Sequence, residues 1–227
     1  MTDATTTILF AIFPGVTQLD FTGPHQVLSR LPGALVRVAS LGGGTIEADG
    51  LAFSGLGRLA DIETCDVLCV PGGGGTNAAM LDEAFVAEIR RLAATARFVT
   101  SVCTGSLVLG AAGLLKGKRA ACHWAARDLL TRFGAVPDDG RVVRDGNAIT
   151  GGGVTAGIDF ALTLAAELAG DEVAQAIQLT LEYAPAPPFD AGRPESAPPV
   201  VVERVRRLMS RSADERRTAV ETAAAAL

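Results

Sequence analysis

The sequence predicts an α/β domain in which a mostly parallel β-sheet carries helices on both faces. Two observations predict it. Apolar runs of strand length at 7–13, 34–40, 66–70 and 97–102 alternate with segments of helical character, the pattern of a sheet buried on both sides. Glycine-rich or small-residue segments also follow the later runs: Gly72-Gly73-Gly74-Gly75, Cys103-Thr104-Gly105 and Gly151-Gly152-Gly153. In open α/β sheets, ligands bind beyond the carboxyl ends of the strands, so these three segments point to a single pocket.

In chain order, 7–13 reads as a buried strand closed by a turn at Pro14-Gly15. A helix over 25–31 follows, with Pro24 in its first turn. Residues 34–40 form a second strand, broken by Leu41-Gly42-Gly43-Gly44, and 45–54 form a hairpin turning at Asp49-Gly50. The third strand, 66–70, runs into Pro71 and four glycines. A helix over 82–95 takes Asp82 as its N-cap. The strand 97–102 ends at Cys103, and a helix over 105–115 stops at Lys116-Gly117-Lys118. Then come a helix over 124–133, a hairpin made of 141–145 and 148–150 around Gly146-Asn147, and helices over 155–168 and 171–182. After Tyr183 the character changes. Residues 184–199 contain six prolines, which suits an extended arm with no core of its own, and 200–227 read as one long helix. We therefore divide the chain into a domain at 1–183 and an appendage at 184–227, which either packs on the domain or clasps a dimer partner.

The 227 residues are 48% hydrophobic and 20% charged, enough to bury a core without disulfide or metal staples. A net charge of −5 offers no surface for a phosphate backbone, so nucleic acid is not expected. The opening Met1-Thr2-Asp3-Ala4 has no basic segment, so no signal peptide is expected. The most apolar stretch, 152–170, is interrupted by Asp159 and Glu167, which makes it a buried helix rather than a membrane span. The expected compartment is the cytoplasm. Four cysteines (Cys65, Cys69, Cys103, Cys122) and two histidines (His25, His123) show no metal-ligand spacing, so no metal site is expected.

Cys103 stands apart from the other cysteines. In Thr100-Ser101-Val102-Cys103-Thr104-Gly105-Ser106 a strand flows directly into a helix through small residues, the cysteine version of a nucleophile elbow. Such a turn pushes the side chain into the pocket, and the helix N-terminus favours the thiolate. Cys65, Cys69 and Cys122 lack the turn and read as buried packing residues. A nucleophilic thiol needs a proton partner. Asp20, flanked by Leu19 and Phe21, is the stronger candidate, because partial burial and a nearby thiolate both raise a carboxyl pKa; a plain helix-capping role is the alternative. His123, beside Trp124, either lines the pocket or is structural. The glycine run lacks the Lys-Ser/Thr of a P-loop, so we expect the amides of Gly73 and Thr104 to converge on an anion next to the sulfur.

Taken together, Leu19-Asp20-Phe21-Thr22-Gly23-Pro24, Val70-Pro71-Gly72-Gly73 and Cys103-Thr104-Gly105 resemble the ThiJ/PfpI superfamily, which is glutamine-amidotransferase-like and flavodoxin-like in fold. The likeness is closer to its bacterial isocyanide hydratase branch, through 100–117, His123-Trp124, 141–159 and 181–189. The resemblance implies a cofactor-free homodimer that takes a small-molecule isocyanide and hydrates it to an N-substituted formamide. It places Cys103 as nucleophile, Asp20 as the acid touching it, Thr104 as a hydroxyl that steadies the Asp or a water, and Val154, after Gly153, at the pocket edge. Peptidase-like relatives carry a His where this chain has Thr104, which argues against peptide hydrolysis. Rival expectations on the same scaffold are a glyoxalase- or deglycase-like enzyme and a non-catalytic ligand-sensing module.

Overall fold

The computed structural model describes residues 5–227; the reading of the extreme N-terminus falls mainly on 1–4, outside the described residues. In chain order the elements are β1 (Thr6–Ala11), α1 (Gln18–Leu28), β2 (Ala34–Ser40), β3 (Ile46–Ala48), β4 (Leu51–Phe53), β5 (Gly57–Arg58), β6 (Val67–Val70), α2 (Thr76–Leu81), α3 (Glu83–Ala93), β7 (Phe98–Val102) and α4 (Gly105–Ala111). They continue with β8 (Arg119–Ala120), β9 (Val136–Pro137), β10 (Val142–Asp145), β11 (Ala148–Gly151), α5 (Ala156–Ala169), α6 (Asp171–Thr180) and α7 (Pro199–Ala225). Two 3₁₀ segments, Leu59–Asp61 and Arg127–Phe133, complete the inventory.

Seven strands form one sheet in the order β10-β11-β7-β6-β1-β2-β5. Every pairing in it is parallel except that of β10 with β11. The central strands β6 and β7 are buried at every residue, which explains their apolar runs: neither face meets water. Helix α5 packs against both α1 and α6, while α2, α3, α4 and α7 form a second packing group, covering the sheet twice. The order β2-β1-β6-β7-β11 is that of a flavodoxin-like doubly wound sheet, in which the chain reverses direction of winding beside β1. The segments that follow β1, β6 and β7 therefore meet at one end of the sheet.

Several expected elements shift. The first helix begins at Gln18, not at 25, and Pro24 lies inside it. Its start is fixed from elsewhere in the chain: an Asp49 carboxylate oxygen, from the β3–β4 turn, accepts the Gln18 amide at 3.0 Å. The helix over 105–115 ends at Ala111, because Gly113 turns the chain at φ 75°. The expected helix over 124–133 is a 3₁₀ segment from Arg127 onward. The short helix α2, immediately after the glycine run, had no periodicity to announce it, and β5, β8 and β9 are only two residues long. The Asp49-Gly50 hairpin forms as expected, with both residues at positive φ, and Asp82 caps α3 by accepting the amides of Ala84 and Phe85. No regular element occupies 184–198, and α7 packs back onto α2, α4 and the Arg127–Phe133 segment. Among the described residues no helix is long and apolar enough to cross a membrane.

Candidate active site

Cys103 and Thr104 link β7 to α4, and the Cys103 backbone sits at φ 59°. A non-glycine residue in this left-handed region is strained, at a cost on the order of 1–3 kcal/mol, and persists only where its surroundings hold it. The Cys103 amide donates to the Gly151 carbonyl at the end of β11 at 3.1 Å. Behind the elbow the chain comes so close to β6 that a Cβ at Gly105 would lie 2.0 Å from the Val70 carbonyl oxygen; only glycine fits there. The thiol is 5% exposed.

Asp20 approaches from the first turn of α1 and is 0% exposed. It does not cap that helix. The cap position is Thr17, and Asp20 Oδ2 instead accepts the Gly72 amide, at the end of β6, at 2.9 Å. Oδ1 is buried and has no hydrogen-bonding partner within the described residues. The one side chain that acts on this carboxyl as a hydrogen-bonding neighbour is the Cys103 thiol. Burial pushes the Asp20 carboxyl from 3.8 up to about 7, against the lowering effect of the Gly72 amide and the Cys103 thiol, with the Asp49 charge adding a smaller upward push. The two groups compete for one negative charge. Burial, and after it the Asp20 charge, push Cys103 well above the ordinary thiol value, while the Thr104 backbone N–H opposes them. Burial and the Asp20 charge therefore work against the thiolate expected at the helix end, while the Thr104 N–H works for it.

Thr104 follows the sulfur and is 4% exposed. Its hydroxyl accepts the Gly73 amide at 3.0 Å and lies 2.8 Å from the Thr76 hydroxyl. Gly73 N–H is therefore engaged with a side chain rather than free for an anion, and the Thr104 hydroxyl is turned toward the glycine run, not toward Asp20. Of the two amides expected beside the sulfur, that of Gly73 is taken by Thr104 while that of Thr104 lies against the sulfur. Gly72 is where the three strand ends touch. A Cβ there would lie 2.5 Å from both the Thr104 amide nitrogen and its hydroxyl, and 3.0 Å from Asp20 Oδ2.

A cavity of about 210 Å³ lies on the β11–α5 side of the elbow, lined by His123, Gly153 and Val154 together with Cys122, Arg127 and Arg141. Arm residues 192–195 close its outer side. Cys103 itself does not line this cavity; its amide is bonded to Gly151, at the head of the glycine triplet. His123 Nδ1 accepts the Ala125 amide at 3.3 Å, which leaves the proton of the neutral ring on Nε2. Burial, and then the Arg216 charge, hold its pKa below 6.5. Cys65 and Cys69 are pushed up to about 11 and about 12, and Cys122 to about 12, by burial above all. Among the described residues no three His, Cys, Asp or Glu side chains cluster as metal ligands.

Sequence reasoning missed two site residues. Thr76 is fully buried against Thr104. Arg216, from α7, is 7% exposed; its Nε–H donates to Asn77 Oδ1 at 3.3 Å, and no carboxylate among the described residues pairs with it. The only signal for either was position: Thr76 directly after the glycine run, and Arg216 on the face of α7 that carries Ala219, Val220 and Ala223 into the core.

This arrangement has counterparts among known proteins. The chain is 54% identical over 219 residues to the isonitrile hydratase of Pseudomonas putida, covering 96% of each chain. It is 31% identical over 175 residues to protein dj-1beta of Drosophila melanogaster, covering 74% of this chain and 92% of that one. Its fold overlays a crystal structure of a ThiJ/PfpI family protein from Pseudomonas syringae with a TM-score of 0.92, at 40% identity over 97% of this chain and 91% of the other. Residues 6–167 match the model of the DJ-1/PfpI family. The chain belongs to the DJ-1/PfpI family.

Proposed function

We propose that this protein is an isocyanide hydratase, adding water to R–N≡C to give R–NH–CHO. The observation that carries the reading is the pair at the elbow: a strained, buried Cys103 whose side chain bonds with that of a buried Asp20, the carboxyl being raised to about 7. A carboxyl of that strength gives and takes a proton near neutrality, as a general acid–base must. The identity to the Pseudomonas putida isonitrile hydratase over nearly the whole chain supports the same substrate class.

The chemistry follows from one proton shared by the pair. Cys103 Sγ bonds to the terminal isocyanide carbon as its proton passes by way of Asp20 to that carbon, giving the thioimidate Cys–S–CH=N–R and an Asp20 carboxylate. Asp20 then takes a proton from water as the oxygen bonds to the same carbon, and delivers that proton to the nitrogen. The tetrahedral species loses its hydroxyl proton to Asp20, the C–S bond breaks, and the formamide leaves with the pair restored. The Thr104 amide, which lies against the sulfur, supports the departing thiolate. His123, Gly153 and Val154 hold the R group in the adjacent cavity.

We further propose that residues 1–183 are the catalytic domain and that 184–227 clasp a second copy in a cytoplasmic homodimer. Leu179, Phe189, Val200 and Leu208 all stand exposed along α6, the arm and α7, apolar surface that a partner would cover. The functional test is a steady-state assay with p-nitrophenyl isocyanide, following the formamide, with methylglyoxal as the competing substrate. Formamide production with little turnover of methylglyoxal is expected; turnover of methylglyoxal alone would move the reading to carbonyl chemistry.

A further inference from the structure

We propose that Thr76 is a positioning residue for Cys103, acting through Thr104. The two hydroxyls lie 2.8 Å apart, both buried. Thr104 Oγ1 already accepts the Gly73 amide at 3.0 Å and lies 3.5 Å from the Gly73 carbonyl oxygen. A hydroxyl has one proton and two lone pairs. If Thr104 donated to Thr76, the Thr76 proton would be left in the interior without an acceptor, and an unmade buried hydrogen bond costs about 1–3 kcal/mol. With Thr76 donating, both lone pairs of Thr104 are used and its proton points at the Gly73 carbonyl. Every polar atom of the cluster is then satisfied.

That assignment has a consequence for the elbow. Thr104 is pinned by its side chain to the glycine run and by its backbone to the strained Cys103, so its N–H is held against the sulfur. Thr76 supplies the second of the two bonds that pin the hydroxyl. Asn77, the next residue, is itself held by Arg216 of α7, so α2 is fastened on its outer side as well. The inference rests on Cys103 being the reactive thiol, and its test uses a readout that does not need the isocyanide reaction.

Thr76→Val keeps the shape and removes the donor, and Thr76→Ser restores it. With folding checked by circular dichroism, we expect Thr76→Val to lower kcat for p-nitrophenyl isocyanide about tenfold, as losing a bond worth about 1.4 kcal/mol would do, with KM little changed. The pH midpoint for iodoacetamide alkylation of Cys103, read on its own peptide by mass spectrometry, should move upward, because a loosened Thr104 N–H stabilises the thiolate less. Thr76→Ser should return both. A Thr76→Val protein that loses stability but keeps its alkylation midpoint and kcat would overturn the proposal, as would failure of Thr76→Ser to restore the midpoint. If the wild type gives no formamide, the hydratase reading fails, while the alkylation midpoints still decide the role of Thr76.

Discussion

Replacing Asp20 by Asn should make the folded protein more stable in mild alkali while removing its activity. Asp20 is fully buried, and burial raises its carboxyl from 3.8 to about 7. Each tenfold change in proton affinity is worth 1.36 kcal/mol, so holding the ionised form in place costs the fold about 4 kcal/mol above pH 7. The sign follows from the direction. The folded pKa lies above the unfolded one, so the native state binds the extra proton between about pH 4 and pH 7. Stability from this group is fully present below about pH 4 and is lost as pH rises through about 7. Asn keeps the shape and the acceptor for the Gly72 amide but carries no charge. Urea unfolding at pH 4, 6 and 8 should show the variant level with wild type at pH 4 and ahead by a few kcal/mol at pH 8. Hydratase kcat/KM should fall by about 10²–10⁴, the usual contribution of a positioned acid–base group. A stability difference that did not change with pH would refute the account of a buried, proton-holding Asp20.

Three further outcomes follow. Because the Asp20 charge is the second largest influence raising the Cys103 thiol, Asp20→Asn should lower the pH midpoint of Cys103 alkylation even as activity disappears; a higher midpoint would contradict the coupling. Gly72→Ala would place a methyl 2.5 Å from the Thr104 amide nitrogen, so we expect a loss of roughly 10²-fold in kcat/KM from misplaced groups and about 1–3 kcal/mol of stability in urea, whereas near-wild-type activity would show that the convergence at Gly72 is slack. Arg216→Met should let the His123 pKa rise part of the way toward 6.5, leaving the share due to burial, as read from the ring proton shifts by NMR; an unchanged His123 would mean that Arg216 exerts no field on the cavity.

The parts of this protein that were legible in its sequence are those set by local chemistry. Continuous apolar runs identified β1, β6 and β7 because strands covered on both faces have no polar side to display, whereas β2, nearer the sheet edge, was found through a run broken by Arg37 and exposed at every second residue along its first half. Asp49-Gly50 identified its hairpin because both residues accept positive φ, and the small residues around Cys103 identified the elbow because a sharp turn admits nothing larger. What escaped was decided by partners distant in sequence. Helix α1 starts at Gln18 because Asp49, 31 residues later, accepts its amide, and no pattern near Gln18 records that. Gly73 was expected to offer its amide to an anion, but the hydroxyl of Thr104, 31 positions on, takes it. The push of burial on Cys103 was hidden for the same reason: the helix end is visible in the sequence, while the depth of burial is a property of the assembled sheet. Thr76 and Arg216 carry no motif at all, and they became site residues only when α2 was laid between the elbow and α7.

The account stands most directly on the bond between Cys103 and substrate. Wild-type protein mixed with p-nitrophenyl isocyanide, quenched in the first turnovers and analysed by intact-mass and peptide mass spectrometry, should show an adduct equal to one substrate molecule on the Cys103 peptide. That adduct should decay as formamide appears and be absent from Cys103→Ser, which should also produce no formamide. Formamide production by Cys103→Ser at the wild-type rate, or turnover by wild type with no adduct at any quench time, would contradict it.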